Sequence, residues 1–207
     1  IQDNSTTGAF LGLVKSGTST QVLSGTNDYT RDTIINGGQL IINGSLIQSA
    51  EGLGVIVNSG GTLGGNGLIS INATAPGRKA VELESGSFLA PGDGGIGTLT
   101  LNGANFTSEF GQVLIANAGS QFNFDLAGDG TGADTIDFWN FVEGDVLFDG
   151  NAIAANLALD GSQVSGTYTV SIFNFFSDDG TSVVDSGLTT GLIAGSLGAG
   201  ISDVSFD

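Results

Sequence analysis

Asn36-Gly37-Gly38-Gln39-Leu40-Ile41-Ile42-Asn43 runs from a polar glycine turn straight into an alternating apolar strand. The phrase returns as Ser59-Gly60-Gly61-Thr62-Leu63, as Ser85-Gly86-Ser87-Phe88-Leu89 and as Ala118-Gly119-Ser120-Gln121-Phe122. Its closing apolar residues lie 23, 26 and 33 positions apart, the length of one solenoid coil with loops of variable size. Thr98-Leu99-Thr100-Leu101-Asn102 and Gln121-Phe122-Asn123-Phe124-Asp125-Leu126 also place every second residue on one face. Val55-Ile56-Val57 and Leu68-Ile69-Ser70-Ile71 are shorter strands of the same kind. A flat sheet of such strands would leave long open edges. Coiling the chain pairs each strand with its equivalent in the next coil and stacks the inward residues into one core. The expected fold is therefore all-β: a single right-handed parallel β-helix, or β-solenoid, with Leu40, Leu63 and Leu89 in one apolar ladder. Ala152–Leu157 is the one stretch that also reads as a short helix.

Composition supports many short strands broken by turns. Glycine supplies 36 of 207 residues, without the three-residue period or the proline content of collagen. Recurrent apolar runs argue against disorder. Of thirteen phenylalanines only Phe10 precedes Phe88. One domain, 1–207, is expected, with narrow Gly-rich coils over 1–103 and aromatic, acidic, wider coils or a cap over 104–207.

The four bases are Lys15, Arg31, Arg78 and Lys79, and the stretch that ends at Lys79 also holds four acids. From Ala80 onward there are seventeen acids and no base, so the net charge of −17 belongs to the C-terminal part. Nucleic acid is thereby excluded as a natural partner, and so is an anionic membrane surface. Ser186–Ser202, the longest uncharged stretch, is too dilute in apolar residues to insert into a membrane. There is no cysteine, hence no disulfide and no thiol chemistry. A first residue of Ile1 rather than Met suggests a processed chain or an excised piece.

The candidate sites are few. Histidine and cysteine, the commonest general base and strong nucleophile, are both absent, so no enzyme is expected. Asp178-Asp179-Gly180 offers a carboxylate pair but reads as a solvated turn, and Arg78-Lys79 is a basic pair in a Pro-Gly turn. Asp125, Asp129, Asp134 and Asp137 crowd into one short stretch, where carboxylates and turn carbonyls could gather the six to eight oxygens of a calcium site. Neither the nonapeptide repeat of calcium-binding rolls nor the twelve-residue calcium loop is satisfied. Calcium is the only cofactor the pattern suggests. Tyr29, Trp139 and Tyr168 could stack on sugar rings if exposed, although Ile136-Asp137-Phe138-Trp139-Asn140-Phe141 has the look of core or cap, and core is the expectation for Trp139.

Leu13-Val14-Lys15-Ser16-Gly17-Thr18, Val22-Leu23-Ser24-Gly25-Thr26-Asn27-Asp28-Tyr29-Thr30 and Thr33-Ile34-Ile35-Asn36-Gly37-Gly38-Gln39-Leu40-Ile41-Ile42-Asn43-Gly44 closely resemble the autotransporter-associated β-strand repeat. Passenger-like sequence continues through Ser59–Gly67 and Leu89-Ala90-Pro91-Gly92, so the resemblance covers roughly residues 11–126. Arg31-Asp32 departs from the glycine usual after the Tyr-Thr turn. The resemblance implies a β-helical passenger region of a secreted, extracellular or bacterial cell-surface protein with a structural or adhesive role. Two alternatives remain. One is a self-assembling subunit of an extracellular filament or layer, joined through solenoid ends that lack a charged N-terminal cap. The other is a β-helix that binds or cleaves cell-surface or matrix polysaccharide.

Overall fold

The computed structural model describes residues 1–3, 8–48, 54–71, 78–103, 111–140, 146–148, 153–160, 172–176, 192–197 and 201. Among these the chain winds as a parallel β-helix with three strands to a coil. The first coil holds β1 (Leu13–Lys15), β2 (Thr20–Leu23) and β3 (Thr26–Asn27). The second holds β4 (Thr33–Ile35), β5 (Gly38–Ile42) and β6 (Ser45–Gln48), and the third β7 (Val55–Val57), β8 (Gly61–Gly65) and β9 (Leu68–Ile71). The fourth holds β10 (Arg78–Leu83), β11 (Phe88–Pro91) and β12 (Thr98–Asn102), and the fifth β13 (Gly111–Ala116), β14 (Gln121–Ala127) and β15 (Thr135–Trp139). The sixth holds β16 (Val146–Phe148), β17 (Ile153–Asp160) and β18 (Phe173–Phe176), and β19 (Leu192–Leu197) adds a seventh layer to one face. No helix occurs among the described residues.

Through β18 every third strand joins the same sheet, and β19 pairs with β17. The orders are β1-β4-β7-β10-β13-β16, then β2-β5-β8-β11-β14-β17-β19, then β3-β6-β9-β12-β15-β18, all pairings parallel. Short strands rich in Val, Ile and Leu suit this arrangement, because each buries one residue in two and gains cross-strand partners on both sides.

The anticipated ladder is present and longer than expected. Leu40 pairs with Leu63, Leu63 with Leu89, Leu89 with Phe122 and Phe122 with Ala155. A second inward ladder runs Ile35, Val57, Leu83, Ala116, Phe148, and a third Leu46, Ile69, Leu101, Phe138, Phe175. The three line the solenoid's interior and meet in one apolar core.

Coil length grows along the axis. Gln21 pairs with Leu40 at one end and Phe122 with Ala155 near the other, and the second step along the chain is much the longer. The strands lengthen too, from four residues in β2 to eight in β17. A longer perimeter encloses more volume, and rings fill it: Phe122 meets Phe173 edge-on at 5.6 Å, and Phe138 stacks on Phe175 at 5.0 Å. Such pairs add about 0.5–1.5 kcal/mol beyond the area they bury.

One ambiguity is resolved and one local expectation is corrected. Residues 153–157, part of the ambiguous helical window, lie in strand β17, since pairing along β14 offers far more hydrogen bonds and burial than one helical turn. Trp139 is not core. Its neighbours Ile136 and Phe138 point inward and are fully buried, so alternation turns Trp139 outward, where 37% of it is exposed and its ring stacks on Phe176 at 4.8 Å.

Candidate functional site

The four aspartates singled out by sequence take different roles. Asp134 is buried at the corner between β14 and β15, and its two carboxylate oxygens accept 2.7 Å hydrogen bonds from Gly97 N–H and Asp125 N–H. It thereby ties the fourth coil's loop to the fifth coil. Asp129 is exposed and closes its own turn by accepting from Thr131 N–H and Oγ1 at 3.0 and 2.6 Å. The Thr131 hydroxyl holds the Asp129 carboxyl below the usual aspartate range. Asp137, on the outer face of β15, accepts from Asn174 Nδ2 one coil on at 2.7 Å. Only Asp125 and Asp134 come together, on an open hollow of about 330 Å³ that Asn123 and Asn156 also line. Among the described residues no group of three acidic side chains converges.

The other candidates also separate. Arg78 and Lys79 stand in strand β10 rather than in a turn, and Lys79 forms an ion pair with Glu82. Tyr29 is fully buried, which pushes its hydroxyl up from its ordinary value, and it shares a 2.5 Å hydrogen bond with Thr33 Oγ1. Gln48 Nε2 reaches the same Thr33 hydroxyl at 3.2 Å and Arg31 O at 2.8 Å. Tyr29 is thus a core post and is closed to sugar rings. Asp178, Asp179 and Tyr168 lie outside the described residues.

The most elaborate polar arrangement is one that sequence reasoning passed over, in the first coil. Lys15 occupies an inward position in register with Ile35 and is 7% exposed. Its ammonium curls into the β1–β2 corner and donates to Ser16 O, Gly17 O and Gly37 O at 3.1, 3.2 and 3.0 Å. Gly38 makes room for it: a Cβ there would stand 2.8 Å from Nζ and 2.5 Å from both Gly17 O and Ser19 O, and φ is +65°. Asn27, inward and buried, donates to Gly25 O at 2.9 Å and Ser45 O at 3.2 Å and accepts from the Ile1 ammonium at 2.9 Å. Gln21 stands at the foot of the leucine ladder, and its Nε2 donates to Val22 O at 2.9 Å. Lys15 is thus a charged group held inside the first coil. The signal in the sequence was a lysine in an inward-alternating strand, two positions before a glycine.

The lysine, the asparagine and the two glycines around them fall within a known repeat. Residues 13–42 match the family described as Passenger-associated-transport-repeat. The chain is also similar to an extracellular serine protease of Serratia marcescens, 36% identical over 120 residues, 58% of this chain. That alignment spans 9% of the protease's length. No solved structure matches the chain. Residues 13–42 thus carry a passenger-type repeat, wound as the first coils of a β-solenoid.

Proposed function

We propose that this chain is a structural segment of an exported bacterial passenger, a rod that sets other parts of a larger protein at a distance from the cell, with no catalysis of its own. The observation that carries this reading is the fate of the chemistry-bearing residues. Asp134, Asp137, Lys15, Asn27 and Tyr29 each spend their polar atoms on joining one part of the solenoid to another, and Asp129 closes its own turn. With no histidine in the chain, a Ser-His-Asp triad cannot be assembled from its own residues, whatever the Serratia protease does with the rest of its length.

A rod is tested by shortening it. Gly38 and Gly61 are register partners, so excising 38–60 removes one whole coil and joins Gly37 to Gly61. The expected product is folded, shorter by about 4.8 Å, and still exports and displays a tag fused beyond its far end. Loss of folding would count against a modular rod. Release of peptides or oligosaccharides by the intact chain from casein or acidic polysaccharide would replace the reading with an enzymatic one.

A further inference from the structure

Four asparagines are followed directly by glycine: Asn36-Gly37, Asn43-Gly44, Asn66-Gly67 and Asn102-Gly103. All four pairs stand at strand ends, where a coil turns from one sheet toward the next. They share one chemical weakness. The backbone nitrogen of the glycine can attack Cγ of the asparagine side chain and close a five-membered imide. Glycine, lacking a Cβ, hinders that approach least. Ring closure requires the glycine N–H to lose its proton and its nitrogen to turn toward the side chain, so a hydrogen bond on that N–H opposes it.

The fold holds three of the four nitrogens. Gly44 N–H donates to Leu23 O at 3.0 Å, Gly67 N–H to Ile42 O at 2.8 Å and Gly103 N–H to Trp139 O at 3.1 Å, each a bond to a neighbouring coil. Two of these glycines are also pressed against backbone: a Cβ would stand 2.2 Å from Gly25 O at Gly44, and 2.2 Å from Gly44 O at Gly67. Gly103 is buried. The Asn43 side chain is held at both ends of its amide, by Asp93 Oδ2 at 2.7 Å and by Asn66 N–H at 3.1 Å. Gly37 differs. Among the described residues its N–H makes no hydrogen bond, although its carbonyl accepts from Lys15. A Cβ there would meet Gly17 O at 3.4 Å, an ordinary contact. Asn36 is exposed, and its side-chain oxygen accepts from Asn58 Nδ2 at 2.7 Å. A donor on that oxygen draws electrons from Cγ, the atom attacked.

We propose that Asn36 is a site of spontaneous modification: it loses its side-chain amide through Gly37, while the fold preserves Asn43, Asn66 and Asn102. The Gly37 nitrogen bonds to Asn36 Cγ, the Cγ–Nδ2 bond breaks, and the amide proton leaves with the departing nitrogen as ammonia. Water, the sole co-reactant, then opens the imide. Cleavage of the new Cγ–N bond gives aspartate. Cleavage of the original peptide bond gives isoaspartate, whose main chain is one carbon longer. The longer chain displaces Gly37 O, one of the three carbonyls that hold the Lys15 ammonium. The inference is independent of the rod reading, because it concerns the lifetime of one corner and not what the chain carries.

The test is peptide mapping by mass spectrometry on the whole chain, sampled over time at mildly alkaline pH, where each lost amide appears as the mass increase from amide to acid. In the folded chain, loss at Asn36 should run about tenfold or more faster than at each of the other three, the rate equivalent of one hydrogen bond of ordinary strength. In guanidinium the four rates should converge, since the four dipeptides are alike once the coils are undone. Gly37→Ala, whose methyl group meets only an ordinary contact, should stay folded and slow the loss at Asn36 to the level of the other three. Equal rates at the four sites of the folded chain, a faster loss at Asn43, Asn66 or Asn102, or an undiminished loss in folded Gly37→Ala would overturn the proposal.

Discussion

At the scale of single residues, the molecule uses charge as a fastener. Asp134→Ala leaves two partly buried N–H groups, of Gly97 and Asp125, without their acceptor. The expected loss is about 1–3 kcal/mol, the cost of orphaned donors, read as a lower urea midpoint; Asp134→Asn, which keeps one acceptor oxygen, should fall between. Asp3 fastens the N-terminal segment by accepting from Leu11 N–H, Thr30 N–H and the Thr30 hydroxyl. That hydroxyl is the main reason its carboxyl lies below the ordinary 3.8. A carboxylate favoured by the fold stabilises it fully above the ordinary value and loses that contribution as pH falls from there through the lowered one. Protection of the Thr30 and Leu11 amides, taken relative to their intrinsic exchange rate at each pH, should therefore be high at neutral pH and fall below pH 3.8, and Asp3→Asn should show low protection at both. Gly38 belongs to this scale as well, since its missing Cβ is the space that the Lys15 ammonium fills.

At the scale of strands and coils, stability resides in ladders. Leu63 is fully buried between Leu40 and Leu89, so Leu63→Ala should cost about 2–5 kcal/mol, while Thr62→Ala, next to it on the outer face, should stay within about 0.5 kcal/mol. Chemical denaturation of the pair checks the register itself, because a slip by one position would exchange the two results. Gly65 joins β8 to the corner at φ +118°, where a Cβ would overlap Ile42 O. Neither the backbone conformation nor the contact admits a side chain. The alternation that predicted the leucine ladder applies equally to β15, and it places Trp139 outside. Reading Trp139 as core went wrong by weighing hydrophobicity above period.

At the scale of the whole molecule, two gradients run along one axis. Coils lengthen and acquire rings toward the C-terminus, and all the net charge accumulates there, with seventeen acids and no base after Lys79. Seven layers at the usual strand spacing make an axis of only about 29 Å, so these acids repel one another across a few screening lengths. Raising salt from about 0.05 M to about 0.5 M should therefore raise the melting temperature by roughly 2–4 °C, the equivalent of about 1 kcal/mol in a chain this size. A melting temperature that falls or holds constant would mean that attractive pairs outweigh the repulsion.

The sequence by itself determined the winding: glycine turns at coil-length intervals, strands of period two, leucines in register and a passenger-like phrase over the first two coils. These are local signals, carried by neighbours along the chain, and a parallel coil is the arrangement that satisfies all of them. What only the tertiary structure decided was the use of the polar residues. Asp125 and Asp134 share a hollow, while Asp129 and Asp137, close by in sequence, face elsewhere. The alignment of Lys15, Gln21 and Asn27 beneath three apolar ladders depends on their pairing with Ile35, Leu40 and Leu46, set separately on three sheets. Hydrogen-bond partners of that kind are chosen by the stacking of coils, and stacking brings side chains together across distances that no motif spans.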